Sequence, residues 1–253
     1  MSTDKSDRKT FFQGHKILCP CFFFAYFAST NHQPLYKDYF LYALPLIVLL
    51  TNRIPYVGKF LRIVNTLIHE SGHAFVALLS SGEVYEVELF SDRSGTATTK
   101  TKGKFSRFLV ALAGYPFGSA FAWLMFYFIS QNNIDWVLYI LICIALVNLA
   151  LMVRNTFGIF WLIAFVAVLI VVIYYGNADV KYYFSLWLAG IMLFEAFYSS
   201  IELLIIAAKK PKSAGDAANL QSFTGIPALL WALLFVAQSG FFIYLSVKLF
   251  FVF

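Results

Sequence analysis

The sequence predicts an α-helical polytopic membrane protein with about six transmembrane helices and one small β-hairpin. Three observations carry that fold class. Of 253 residues, 60% are hydrophobic and only 13% are charged, well outside the balance of a soluble domain; mean hydropathy is +0.74. Long uncharged runs recur, each near the ~20 residues that a helix needs to cross a bilayer. Lysine and arginine gather in the short segments between those runs, where they set topology. The net charge of +6 is therefore an orientation signal and not a nucleic-acid footprint.

Residues 1–38 read as an N-terminal polar segment with a short apolar stretch, and residues 39–253 as a membrane-embedded domain. Within the first part, Ile17 to Ser29 is apolar but broken by Pro20, and no small-residue cleavage pattern follows it. Cys19 and Cys21 open that stretch beside Lys16, where plain burial is favoured over lipidation or weak metal binding; Cys143 sits in a later apolar run and reads as a small packing residue. Tyr39 to Leu50 is a second short apolar run. It is either the partner of the first in a helical pair or the only true span of the two.

The basic residues Arg53, Lys59 and Arg62 lead into an apolar stretch from Leu61 to Ser80. From Glu83 the pattern changes. Val84, Tyr85, Val87, Leu89 and Phe90 mix with Glu83, Glu86 and Glu88 in the near-alternation of a strand. Ser91-Asp92-Arg93-Ser94-Gly95 supplies turn chemistry before the β-prone Thr96 to Thr101. A hairpin over Glu83 to Lys100 is expected, and it must pack on protein or sit at the water interface, because open strands cannot face lipid. Five apolar stretches follow: Phe108 to Ile129, Trp136 to Val153, Phe157 to Tyr175, Tyr182 to Ala208 and Ile226 to Phe253.

By the positive-inside rule, Lys100 to Arg107, Arg154 and Lys209 to Lys212 lie on the cytoplasmic side, and the nearly uncharged connectors 131–135 and 176–181 outside. The basic segment 53–62 then also falls inside. One helix cannot cross and return to the same face, so the hairpin is expected to lie partly at membrane depth, shielded by protein or lining a wet cavity.

The chemistry centres on His69-Glu70-Ser71-Gly72-His73. Two histidines four residues apart share a helix face, so both imidazoles reach one metal ion, and the adjacent glutamate is placed to deprotonate a water on it. The bland alternative is two core histidines beside a chance carboxylate. With four histidines in the chain, that coincidence arises in roughly one such sequence per thousand. Catalytic zinc takes three protein ligands, and neither His15 nor His32 sits in a motif. A carboxylate is the better third ligand: Asp216, Glu195 or Glu202. Depth favours Asp216, because His69 lies about 10 Å of helix beyond Arg62, within reach of a loop just inside the cytoplasmic face. Asn148 is expected to hydrogen-bond another helix and Tyr115 to pack.

His69-Glu70-Ser71-Gly72-His73-Ala74, Ser81-Gly82-Glu83-Val84 and Ser91 to Gly95 resemble the site-2 protease clan of intramembrane zinc metallopeptidases. Ala113-Gly114-Tyr115-Pro116, Arg154 to Gly158 and Gly215-Asp216-Ala217 through Pro227 resemble its compact bacterial branch without a PDZ domain. The resemblance runs from about Asn65 to Pro227, and only the zinc motif is highly specific. It implies that His69, His73 and Asp216 bind Zn2+, that Glu70 is the general base, and that residues 39–253 form the protease domain. One departure stands out: the clan places its aspartate in a Leu-Asp-Gly setting within a helix, whereas here it is Gly-Asp-Ala beside a polar connector. The implied activity is hydrolysis of a peptide bond in or near a transmembrane segment of a membrane protein substrate. The bilayer is its setting, a bacterial cytoplasmic membrane its location and the inner face the depth of its site. A histidine-rich di-iron oxidase is excluded by the scarcity of histidine. The remaining alternative is a non-enzymatic scaffold or transporter with a structural zinc site, which has no need of Glu70.

Overall fold

The structure is a computed structural model, and it describes residues 35–251; the expectations placed on Ile17 to Ser29, Cys19, Cys21, His15 and His32 lie outside the described residues. The chain divides into a unit of residues 1–43 and a larger one of residues 44–253.

The order of elements is α1 (Leu35–Arg53), α2 (Val57–Leu79), β1 (Glu83–Leu89), β2 (Gly95–Lys100), α3 (Lys104–Ser130), α4 (Ile134–Val147), α5 (Thr156–Tyr175), α6 (Ala178–Lys209), α7 (Gly215–Thr224) and α8 (Ala228–Lys248). A single π-helical turn, Asn148–Met152, extends α4. Among the described residues, five helices are long and apolar enough to span a bilayer: α3, α4 with its π turn, α5, α6 and α8. Together α1 and α2 meet the same criterion but are bent by 107° at their junction. This pair is one broken span or a re-entrant loop, so six spans is the upper count.

The expected spans match these helices to within a few residues. Asn133 and Asn155 flank helix starts, and Asn177 caps α6 by accepting from the Val180 N–H at 2.9 Å. Tertiary contact between the helices rests on small residues. On α2, Gly72 faces Phe117 of α3 so closely that a Cβ would lie 2.6 Å from the Phe117 Cβ, the small-residue packing typical of membrane helices. Side-chain hydrogen bonds tie other helices to the α1–α2 pair. Trp161 Nε1 on α5 donates to the Phe60 carbonyl, and Trp187 Nε1 on α6 donates to Thr51 Oγ1. Asn148 Nδ2 donates to Ser71 Oγ at 2.9 Å, the helix-to-helix bond expected of it.

The hairpin forms where the alternation places it, with Glu83 opposite Lys100 and Leu89 opposite Gly95 in an antiparallel register. Val87 and Leu89 are fully buried, whereas Glu83 and Tyr85, which strict alternation would place on the same face, are exposed because the register shifts between Val84 and Glu86. The free side of β1 is sealed. Val153 forms a parallel bridge to Val87, the Arg154 N–H donates to the Val87 carbonyl, and Asn155 bonds both the N–H and the carbonyl of Leu89 at 3.1 and 2.5 Å. The hairpin packs on protein, between α2 and the α4–α5 connection.

Candidate metal centre

Buried packing holds the motif in place. On α2, Val64, Leu67, Ile68 and Ala74 are fully buried, so the helix cannot rotate without exposing its packed face. His69 and His73 then project toward α3 and α7, with their Nε2 atoms 3.1 Å apart. His73 Nδ1 lies 2.6 Å from the Val110 carbonyl on α3. That bond fixes the Nδ1–H tautomer and leaves Nε2 free as a ligand atom.

Asp216 arrives from a distant part of the sequence. It occupies the first turn of α7, where the helix N-terminus favours a negative charge. This helix is pinned by Ala214, Ala217 and Leu220, all fully buried in a cluster with Leu203, Ala232 and Phe235. Asp216 Oδ2 is 3.3 Å from His69 Nε2 and 3.1 Å from His73 Nε2. A carboxylate can ligate a metal only in its ionised form, and the place of Asp216 at a helix N-terminus favours that form.

The three ligand atoms lie within 4.8 Å of one another, and the set is chemically matched to zinc. Two imidazole nitrogens and one carboxylate oxygen are a catalytic ligand set, and bonds near 2.0–2.1 Å in a tetrahedron put ligand atoms roughly 3.3 Å apart. The observed separations of 3.1 to 3.3 Å fit that figure.

Sequence reasoning also weighed Glu195 and Glu202, and the structure places both elsewhere. Glu195 contacts Arg62 and Arg93, and Glu202 contacts Arg93. Glu70 is 7% exposed and its side chain lies against β2. Gly95 packs directly on it, since a Cβ there would stand 2.9 Å from Glu70 Cγ and 2.6 Å from Thr66 Cγ2. The Ala97 N–H faces the same carboxylate.

Two further contributors were not singled out for these roles. Gly114 on α3 lies so close to both imidazoles that a Cβ would stand 2.4 Å from His73 Nε2 and 2.5 Å from His69 Nε2. Tyr115 meets the His69 ring edge-on at 4.8 Å and stacks on Phe235 at 4.7 Å, so it packs, but against one of the motif histidines. Ala113-Gly114-Tyr115-Pro116 was the available signal, and nothing in it alone says which helix it faces.

The site opens into a cavity of about 900 Å³ reached by Glu70, His69, His73, Asp216, Lys100 and Arg107. Its β2 side carries an open edge: among the described residues, β2 pairs with β1 and with no other strand. Compared with known protein families, residues 40–246 match the Peptidase M50B-like family. No curated protein and no solved structure matches the chain.

Proposed function

We propose that this chain, which belongs to the Peptidase M50B-like family and is an intramembrane zinc metalloendopeptidase, hydrolyses a peptide bond in or next to a transmembrane segment of a membrane protein. The observation that carries the specific reading is the meeting of His69, His73 and Asp216 from two distant segments beside a buried Glu70, at the wall of a cavity.

In this reading Zn2+ would be the resident ion, and His69, His73 and Asp216 would hold it. When bound, zinc supplies Lewis acidity, bringing the pKa of a coordinated water toward neutrality and polarising a carbonyl. Glu70 is the general base: it takes a proton from the attacking water and returns it to the leaving amine nitrogen. The Val110 carbonyl keeps the His73 ring oriented throughout.

A substrate helix hides its carbonyls in its own hydrogen bonds, so it must unwind before cleavage. The open edge of β2 offers an alternative set of backbone partners beside Glu70, which supports strand addition by the unwound segment. Residues 39–253 act as the protease domain. The motifs at Ala113 to Pro116 and Arg154 to Gly158 support the compact bacterial branch of the site-2 protease clan. Lys100 and Arg107 at the cavity and Lys209 to Lys212 just before Asp216 support a site near the cytoplasmic face of a bacterial inner membrane.

The test uses purified protein in detergent, assayed for bound metal and for cleavage of an unfolded polypeptide such as casein and of single-span membrane proteins. One zinc per chain, lost in both His69→Ala and Asp216→Ala, is expected, with cleavage lost in both and in Glu70→Gln. A wild-type protein that takes up no zinc on reconstitution would return the chain to the scaffold class.

A further inference from the structure

Glu195 and Glu202 are carboxylates that the proposed reaction does not use, yet Glu195 is 4% exposed on a membrane-spanning helix. An ionisable group at such depth needs a partner and a reason. Its partners are two arginines. Arg62 Nε on α2 stands 3.1 Å from Glu195 Oε1, and Arg93 Nη1 at the hairpin turn stands 3.6 Å from Oε2. Arg93 Nη2 also reaches Glu202 Oε1 at 3.5 Å, and its guanidinium lies 5.9 Å from the Tyr198 ring centre, within cation–π range. Residues 195, 198 and 202 fall at i, i+3 and i+7, on one face of α6. Two arginines and two glutamates balance, which leaves no spare carboxylate for a cation.

The turn that Arg93 belongs to is built to be held. Arg93 has φ of +79°, a conformation that a non-glycine residue keeps only where its surroundings enforce it. Asp92 Oδ1 accepts from the Ser94 N–H at 3.0 Å and from its hydroxyl at 2.6 Å. Thr66, one helical turn before Glu70, donates its hydroxyl to the Arg93 carbonyl at 2.8 Å. Two residues beyond Arg93, Gly95 begins β2 and rests against Thr66 and Glu70. The anchored turn and the catalytic carboxylate are thus joined by two residues of backbone.

We propose that Arg93 is a positioning residue for peptide cleavage, and that Glu195, Tyr198 and Glu202 form its socket on α6, holding the start of β2 against Glu70. The inference rests on the proteolytic reading of this site, and it assigns the two glutamates a task distinct from metal binding. Arg93 acts through the strand: its side chain faces α6, while the Gly95–Ala97 backbone faces Glu70 and the incoming segment. Arg62 completes the anchor from the other side by donating to Asn52 Oδ1 and to its carbonyl at 3.1 and 3.0 Å, which ties the socket to α1 and α2.

The experiment compares wild type, Arg93→Ala, Arg93→Lys, Glu195→Gln and the Arg93→Ala/Glu195→Gln double variant in the full chain loaded with zinc. Three quantities are read: bound zinc, kcat and KM on casein, and amide hydrogen exchange of residues 83–100. Arg93→Ala is expected to keep wild-type zinc, to speed exchange in the hairpin alone, and to lower kcat by about 10- to 100-fold, the scale of a misplaced reacting segment. Lysine is expected to restore part of that loss, because it keeps the charge without the fork. The double variant is expected to be no worse than Arg93→Ala, since both remove one linkage. Wild-type kcat in Arg93→Ala, or losses that multiply in the double variant, would overturn the proposal. Should Glu195→Gln lose its zinc, the two Arg93 variants decide alone. If the wild type cleaves nothing, the proteolytic reading has failed, and unchanged hairpin exchange in Arg93→Ala would refute the socket separately.

Discussion

Replacing Gly114 by alanine tests the metal centre through a residue that touches no metal. An added methyl carbon would sit 2.4 Å from His73 Nε2, and 2.5 Å from both Nε2 and Cε1 of His69. Ordinary contact needs about 3.5 Å, so something must yield by about 1 Å. The His73 ring is poorly able to do so, because its Nδ1 is fastened to Val110, one turn from Gly114 on the same helix. Overpacking of this kind costs about 1–3 kcal/mol. If the strain falls on the metal-binding state, that converts to about 5- to 150-fold weaker zinc binding, at 1.4 kcal/mol per tenfold. The assay is a zinc titration against a competing chelator, with circular dichroism to confirm a folded helix bundle and casein cleavage measured in parallel. Gly118→Ala is the control one turn along, where the new methyl meets only Asn65 Oδ1 at 3.1 Å, the end of a side chain. Wild-type zinc affinity in Gly114→Ala, or equal weakening in both variants, would refute the reasoning that α3 is closed onto the imidazoles.

Glu70→Gln is expected to retain one zinc per chain while cleavage falls by about 10²- to 10⁴-fold, the contribution of a positioned general base; metal analysis and turnover on the same sample decide it. Asp216→Ala is expected to lose zinc while Glu202→Gln keeps it, as metal analysis of purified protein will show, because only Asp216 lies among the histidine nitrogens. A chelator such as 1,10-phenanthroline is expected to stop cleavage and added zinc to restore it. Asn155→Ala removes two hydrogen bonds to Leu89, together worth about 1–3 kcal/mol; hydrogen exchange of β1 is expected to quicken while bound zinc stays constant.

What was legible in the sequence is what depends on local spacing. The histidine pair needs only the helical repeat, and Val84 to Phe90 needs only the strand repeat, so both could be read without knowing what lay opposite. The spans were legible because each run must satisfy the bilayer alone. Glu195 was legible as an oddity in an apolar run but not in its role, since its partners Arg62 and Arg93 stand more than 100 residues away along the chain. Gly114 hid for the same reason: a glycine reports that something is close, and only the fold says that it is a pair of imidazoles. The Gly-Asp-Ala setting of Asp216 looked like a connector because Lys209 to Lys212 precede it, yet Gly215–Thr224 is helical. Its buried alanines are too small to print a strong apolar period.

The two edges of the hairpin explain one another. A strand edge presents unpaired N–H and carbonyl groups, and at membrane depth each would be costly to leave facing lipid. On β1 the problem is solved in covalent continuity with the helices: Val153, Arg154 and Asn155 supply backbone and side-chain partners to Val87 and Leu89. On β2, among the described residues, no strand does the same, and that edge lies along the cavity that holds Glu70 and the histidines. Water can satisfy such an edge, and an extended peptide can satisfy it better because both of its backbone groups are already spaced to match. Sealing one edge therefore fixes where the other must be, and Arg93 at the turn fixes how far it stands from Glu70. An open edge in this fold calls for water or an extended peptide to pair with it, and both are what the hydrolysis of a peptide bond needs there.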